Sequence, residues 1–120
     1  MQLRNVLVLD YVAETREATC EALADAGLNA WPAESLEAAL DALRRYEPDT
    51  LVISIETPGL DGHALCEVIH RAYPARSFSI FVVTRSPVQD GLEWTGTIPD
   101  LRVIEEPVTA QKLADGLAKA

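Results

Sequence analysis

The most informative sequence in the chain lies at residues 48–62, which read PDTLVISIETPGLDG. Residues 50–55 form an unbroken β-prone run, rich in Leu, Val and Ile, which is typical of a central parallel strand covered on both faces. The pairs Pro58-Gly59 and Asp61-Gly62 that follow favour turns. This stretch therefore predicts a buried strand that leads into a tight loop, and in parallel sheets binding sites form where such strands end.

Strand-like and helix-like segments alternate along the rest of the chain. The predicted strands are Val6–Leu9, Leu28–Trp31, Thr50–Ile55, Ile80–Val83 and Leu101–Ile104. This alternation predicts an α/β fold, a doubly wound flavodoxin-like parallel sheet of five strands in the order 2-1-3-4-5, with the first and fifth helices on one face. A chain of 120 residues has the usual size of one domain. We therefore expect a single domain over residues 1–120.

Capping and turn residues place the helices between these strands. Gly27 ends the first helix, and Ser35 and Thr109 cap the second and the last. Pro32, at the end of the second predicted strand, suits an edge strand or a strand terminus. The residues at helical spacing, expected to face inward, are Ala18, Ala22, Leu23, Ala26, Leu36, Ala39, Leu40, Leu43, Leu65, Val68, Ile69, Leu113 and Leu117. The fourth helix is expected to be irregular, because residues 85–100 contain two prolines and two glycines.

The composition is that of an acidic globular protein. Its formal net charge of −9 works against binding the phosphate backbone of nucleic acid, which depends on Lys and Arg. No apolar run approaches bilayer-spanning length, so we expect a cytoplasmic protein with no membrane segment and no direct contact with nucleic acid. Cys20 and Cys66 lack metal-ligand spacing and are expected to be small buried residues on opposite faces of the sheet.

Residues 48–62 resemble the third strand and following loop of response-regulator receiver domains, the CheY-like family, commonly written PDLVLLDIMLPGMDG. Three further segments are similar to family motifs: Val6–Asp10 to the strand before the acidic pair, Val82–Thr84 to the hydroxyl motif, and Glu106-Pro107 to the Lys-Pro motif. The similarity extends from about Asn5 to Lys119 and weakens only at the fourth helix. It implies a CheY-like fold and a role in bacterial two-component signal transduction.

The same resemblance shows where this chain departs from the family's phosphoryl chemistry. That chemistry needs a carboxylate nucleophile, two further acids for Mg²⁺, a hydroxyl and a Lys ammonium. Ser54 stands in the nucleophile's place, Tyr11 in that of the second acid and Glu106 in that of the Lys. Only Asp10 and Thr84 match. A serine without a general base cannot form the mixed anhydride, and a phenol is a poor Mg²⁺ ligand, so the resemblance implies a degenerate pseudo-receiver, without enzymatic activity or cofactor.

A vestigial phosphorylation pocket is therefore expected at the carboxyl edge of the sheet. Its members are Asp10, Tyr11, Ser54, Glu56, Thr84 and Glu106. Asp10 and Glu56, together with Glu106, could instead supply oxygens to a residual Mg²⁺ or Ca²⁺ site. Ser54 could alternatively be a substrate of a serine kinase. A fourth interpretation is an active receiver with a non-standard acceptor, for which Asp49 and Asp61 are the nearby carboxylates.

The resemblance also indicates a surface for a protein partner. Val103 takes the place of the family's aromatic switch residue, so the usual coupling to phosphorylation should be missing. Receivers commonly dock through the surface of the fourth helix, fifth strand and fifth helix, where Trp94, Val103 and Glu105 lie. Trp94 is either an interface anchor or a cap on a local core. The expected partner is a histidine kinase, an output domain or a second copy, and the chain is either complete or the receiver part of a larger response regulator or hybrid histidine kinase.

Overall fold

The computed structural model describes residues 5–54, 62–73, 78–84, 101–109, 111–112 and 115. The elements of this part of the chain are β1 Asn5–Leu9, α1 Ala13–Asp25, β2 Asn29–Ala33, α2 Leu36–Tyr46, β3 Thr50–Ser54, α3 Gly62–Ala72, β4 Ser79–Thr84 and β5 Leu101–Glu105. Among them, no helix is both long and apolar enough to cross a membrane. The predicted fourth helix and most of the last helix lie outside the described residues.

The strands form one parallel sheet in the order β2-β1-β3-β4-β5, as predicted. The strand register aligns the carboxyl ends of the central strands: Leu9 pairs with Ile53, and Ser54 pairs with Val83. Thr84, the last residue of β4, pairs with Glu105 on β5. The residues at these strand ends, and those that follow them, therefore meet at one edge of the sheet.

The hydrophobic core has two layers, one on each face of the sheet. Successive side chains of a strand point to opposite faces, and β1 accordingly sends Val6 and Val8 to one core cluster and Leu7 and Leu9 to the other. Leu23 of α1 packs in the cluster of Val6 and Val8. The other cluster contains Ala39, Ala42 and Leu43 of α2 and Leu65 and Ile69 of α3. This two-sided burial explains why the central strands are continuously apolar.

The predicted capping signals are confirmed by backbone and side-chain geometry. Ser35 Oγ accepts a hydrogen bond of 3.2 Å from the Ala38 N–H at the start of α2. Thr109 Oγ1 accepts one of 3.1 Å from the Lys112 N–H. Gly27 follows α1 with a φ of 86°, a left-handed conformation that costs glycine little because it has no Cβ.

Several predicted core positions are wrong. Leu36 and Leu40 are each 36% exposed and Val68 is 47% exposed. They lie on the flanks of their helices, because the stripe that contacts the sheet is centred on Ala39 and Leu43 in α2 and on Leu65 and Ile69 in α3. In α1, Ala18 and Ala26 were also predicted to face inward but are exposed. The buried residues of this helix are Leu23, as predicted, and Thr19.

Two further expectations about burial and strand length need correction. Cys20 is only half-buried, at the margin of the cluster of Val6 and Val8, while the side chain of Cys66 lies outside the described residues. Strand β2 does not end at Trp31 but continues through Pro32 to Ala33. β2 is at the edge of the sheet and pairs only with β1, so the missing N–H of Pro32 removes no hydrogen bond to a second neighbour.

Candidate functional site

The carboxyl edge of the sheet gathers the polar residues that follow its strands. Asp10 comes directly after β1, Ser54 ends β3 and Thr84 ends β4. All three are buried, with exposed fractions of 7%, 4% and 0%. Glu106 follows β5, and its N–H donates a 2.9 Å hydrogen bond to the Thr84 carbonyl. The parallel topology thus places four of the predicted pocket residues at one edge.

Asp10 is hydrogen-bonded through both carboxylate oxygens. Its Oδ1 accepts a 3.0 Å bond from the Val12 N–H, and its Oδ2 accepts a bond from the Thr15 hydroxyl. Arg16 Nη1 donates to the backbone carbonyl of Asp10 at 2.8 Å rather than to the carboxylate. The carboxylate therefore ties the end of β1 to the first turn of α1. A metal ion at Asp10 would have to share or displace these bonds.

A cavity of about 470 Å³ opens beside these strand ends. Its polar lining includes Asp10, Thr15, Ser54 and Glu106. Most of the apolar lining belongs to the cluster of Val6 and Val8 and consists of Val8, Val52, Val83 and Val108. The other lining residues are Leu9, Ala18, Thr19 and Pro107. A cavity of this size falls within the range of small-molecule sites.

Only some of the predicted pocket residues line this cavity. Asp10, Ser54 and Glu106 line it, whereas Tyr11 and Thr84 are not among its described lining residues. Tyr11 is 44% exposed and therefore does not act as a buried replacement for an acid. Glu56 lies outside the described residues, as do Asp61 and Trp94. Within the described ranges, no group of three or more His, Cys, Asp or Glu side chains is arranged to hold a metal ion.

Two residues of the site were not predicted from the sequence. Thr15 binds the Asp10 carboxylate, and Lys112 fixes the loop after β5, where its Nζ donates to the carbonyls of Glu105 at 2.8 Å and Pro107 at 2.9 Å. A hydroxyl residue in the first turn of the helix that follows a strand-end Asp was the available signal for Thr15. No comparable sequence signal exists for Lys112, since its contacts depend on the path of the loop.

Asp49 lies at the other end of the molecule. It precedes β3, its N–H donates to the Asn5 carbonyl at 3.0 Å, and its Oδ1 accepts a 2.8 Å bond from Thr50. Asp49 is five residue steps along the chain from Ser54, which is roughly 16 Å at the usual rise of a strand. Asp49 is therefore at the amino edge of the sheet, away from Asp10 and Glu106.

The Cys20 thiol lies on α1 at the margin of the cluster of Val6 and Val8. Burial raises the pKa of the Cys20 thiol, and the nearby Arg16 guanidinium lowers it by a smaller amount. A thiol with a raised pKa is protonated near neutral pH and is a weak nucleophile. Cys20 thus behaves as a packing residue at the margin of the core.

Trp31 and the residues of β5 have different surroundings. Trp31 is half-buried against the core and stacks face to face on Tyr46, with ring centroids 4.0 Å apart and an interplanar angle of 2°. On β5, Val103 is 37% exposed and Glu105 is also exposed. Trp31 therefore packs β2 against α2, whereas Val103 and Glu105 of β5 lie at the surface.

Comparisons with known proteins identify the fold. No protein-family model and no curated protein matches the chain. The solved structure of the chemotaxis protein CheY4 of Vibrio cholerae matches with a TM-score of 0.84 and 16% identity over 98% of both chains. The N-terminal domain of a response regulator receiver protein from Methanoculleus marisnigri JR1 matches with a TM-score of 0.73 and 23% identity, over 99% of this chain and 97% of that one.

A third structure places the same fold inside a longer protein. NtrX from Brucella abortus, solved in complex with ATP, matches 98% of this chain with a TM-score of 0.77 and 22% identity, but the match covers 27% of NtrX. Together these likenesses show that the chain has the fold of CheY-like receiver domains. The fold predicted from the sequence is confirmed.

Proposed function

We propose that this chain is a pseudo-receiver of bacterial two-component signalling, a cytoplasmic module that acts by binding a protein and does not take up a phosphoryl group. The observation that carries this proposal is Ser54, which ends β3 at the cavity where the resemblance requires a carboxylate nucleophile. The CheY-like fold supports the receiver part of the proposal, and the side chains at the strand ends support the loss of phosphoryl transfer.

The nucleophile is the first element that is missing. A serine hydroxyl is a weak nucleophile unless a general base takes its proton. Asp10, the carboxylate on the neighbouring strand end, is engaged by Val12 and Thr15. Ser54 therefore does not react with small phosphodonors, and the chain does not catalyse its own phosphorylation.

Charge is the second element. Phosphoryl transfer needs cations at the oxygens that carry the developing negative charge. Glu106 lines the cavity at the position where the resemblance implies a Lys. Lys112 is close in sequence, but its ammonium is held by the Glu105 and Pro107 carbonyls. The carboxylates that line the cavity therefore repel a phosphodonor, which is also negatively charged.

The direct test is exposure to acetyl phosphate and, separately, to beryllofluoride, each with Mg²⁺. We expect no mass gain and no change in the amide spectrum. The matched control is the triple variant Tyr11→Asp, Ser54→Asp, Glu106→Lys, which restores the acid, the nucleophile and the ammonium and should gain a base-labile phosphoryl group. A stable phosphoryl adduct on the unaltered chain would refute the proposal.

The proposed partner surface is on β5. Val103 and Glu105 are exposed at neighbouring outward positions of the last strand of the described sheet. An exposed apolar residue beside a charged one is typical of the margin of a protein interface. We propose that a histidine kinase, an output domain or a second copy of the chain docks there, with Trp94 as a further contact.

A further inference from the structure

We propose that the outer edge of β5 pairs with β5 of a second copy of the chain, in the antiparallel direction and with Val103 at the centre. This inference rests on the proposed function, because it assigns one occupant to the partner surface on β5. Three features support it: the direction of the backbone groups of β5, the difference between the two edges of the sheet, and the symmetry of the strand.

The backbone groups of β5 point alternately toward β4 and away from it. In a parallel sheet, the N–H and C=O of one residue bond the strand on one side, and those of the next residue point to the other side. The Glu106 N–H donates to the Thr84 carbonyl of β4 at 2.9 Å, and this bond fixes the alternation. The even-numbered residues of β5 therefore bond β4. Its odd-numbered residues direct their N–H and C=O groups outward, and they are Leu101, Val103 and Glu105.

Lys112 lies on the outward side of this edge. Its Nζ donates to the Glu105 carbonyl at 2.8 Å, which agrees with an outward C=O at Glu105. A lysine beside an edge strand limits pairing with other chains, and this one covers the carboxyl end of β5. Val103 lies two residues earlier and is 37% exposed. No strand of the described sheet lies beyond it, so its outward N–H and C=O are available for pairing.

The opposite edge of the sheet, formed by β2, is blocked by a proline. The Asp10 N–H donates to the Ala33 carbonyl at 3.0 Å, so Ala33 faces β1 and Pro32 directs its backbone outward. Pro32 is exposed and has no N–H to donate to a further strand. Since β5 contains no proline, it is the edge of the described sheet that can extend. Copies that join through this one edge form a closed two-fold dimer and not a filament.

A second copy fits this edge because β5 is complementary to itself. Val103 is the middle residue of the strand, and in an antiparallel pair centred on it, each Val103 N–H donates to the Val103 carbonyl of the other copy. Arg102 then faces Ile104 of the other copy, so no like charges face each other although the net charge is −9. Arg102 also lies diagonal to Glu106 of the other copy, which has the opposite charge. A register centred on Arg102 would instead bring two guanidinium groups together.

The test combines the oligomeric state of the full chain with the amide hydrogen exchange of β5. Sedimentation equilibrium over a range of protein concentrations should show a monomer–dimer equilibrium. By NMR, the Val103 N–H should exchange roughly tenfold more slowly once most of the chain is dimeric. The Ile104 N–H, which bonds β4, should be protected at every concentration. A monomer at all concentrations would overturn the proposal, and so would protection of Val103 that does not change with concentration.

Variants separate backbone pairing from side-chain contact. Val103→Pro removes the outward N–H and should abolish the dimer while the chain stays folded, because that N–H bonds no strand of the described sheet. Val103→Thr keeps the N–H and the shape and should dimerise as the unaltered chain does. Arg102→Pro is the folding control, because it removes an N–H that bonds β4 and should lower the free energy of unfolding. A dimer that persists in Val103→Pro, or an equal loss in Val103→Thr, would overturn the proposal.

The outcomes separate this inference from the proposed function. A phosphoryl adduct from acetyl phosphate refutes the pseudo-receiver, whatever the oligomeric state of the chain. A chain that stays monomeric refutes the β5 pair, while the loss of phosphoryl transfer stands. If the Val103 N–H gains protection only when a histidine kinase or output domain is added, the edge pairs with a strand of another protein, and the assignment to a second copy is wrong.

Discussion

The hydroxyl of Thr15 donates a hydrogen bond to the carboxylate of Asp10, and this bond joins the first turn of α1 to the end of β1. The Val12 N–H binds the other carboxylate oxygen. Asp10 thus performs a structural task at the strand end where the receiver resemblance implies a metal ligand. A residue that matches a family motif can keep its identity while its side chain serves the fold.

Replacement of Thr15 by Val tests this structural role. The change keeps the shape and removes the hydroxyl, so Asp10 loses one hydrogen bond in a buried setting. We expect the free energy of unfolding to fall by about 1 kcal/mol, measured by urea denaturation. Thr15→Ser retains the hydroxyl and should lose less. A loss in Thr15→Val no larger than that in Thr15→Ser would show that the hydrogen bond to Asp10 contributes no more to stability than the Thr15 methyl group does.

Two kinds of sequence signal predicted the fold well. The buried strands were recognisable because Leu51, Val52 and Ile53 must face apolar layers on both sides of the sheet. Caps such as Ser35 were recognisable because a short hydroxyl side chain satisfies a free N–H of the helix. Helix faces were harder: Leu40 and Val68 have helical spacing, but the exact line of contact with the sheet decides which apolar residue is covered.

The site was predictable at the level of topology and less so at the level of side chains. Parallel strands bring their carboxyl ends together, and this rule places Asp10, Ser54 and Glu106 around one cavity. The exposure of Tyr11 was not predictable, because it depends on the direction of a side chain in the turn before α1. The role of Lys112 likewise depends on two carbonyls whose orientation no sequence pattern specifies.

The Cys20 thiol makes stability depend on pH on the alkaline side. Burial raises the pKa of this thiol, so the folded state holds the proton to a higher pH than the unfolded state does. The contribution of this thiol to stability is therefore fully present below its ordinary pKa and is lost as the pH rises through that value toward the raised pKa. Urea unfolding at a series of pH values should show a shallower alkaline decline for Cys20→Ala than for the unaltered chain.

The comparison of the two chains isolates the thiol, because every other titrating group is present in both. Below the ordinary thiol pKa, the difference in their free energies of unfolding should stay constant with pH. A difference that remains constant through the alkaline range as well would show that Cys20 titrates alike in the folded and unfolded states.

A charge introduced into the proposed partner surface on β5 should weaken binding of the partner. Val103→Arg places a cation in the apolar part of that surface, and we expect it to weaken partner binding by roughly tenfold or more. Sedimentation velocity measures the effect for a second copy of the chain, and titration measures it for a histidine kinase or output domain. Leu40→Arg is the matched control, because Leu40 is exposed to a similar extent on α2. An equal loss in both variants would argue against β5 as the surface.

The cap of α2 provides a prediction that depends on the fold alone. Ser35 Oγ accepts the Ala38 N–H at 3.2 Å, and Ser35→Ala leaves that donor without its partner at the helix terminus. We expect the free energy of unfolding to fall by about 1 kcal/mol, measured by urea denaturation. Ser35→Asp should retain most of the stability, because its carboxylate caps the same N–H and interacts favourably with the positive end of the helix dipole. A loss with Asp as large as that with Ala would show that packing of the small Ser35 side chain, and not its hydrogen bond, stabilises the start of α2.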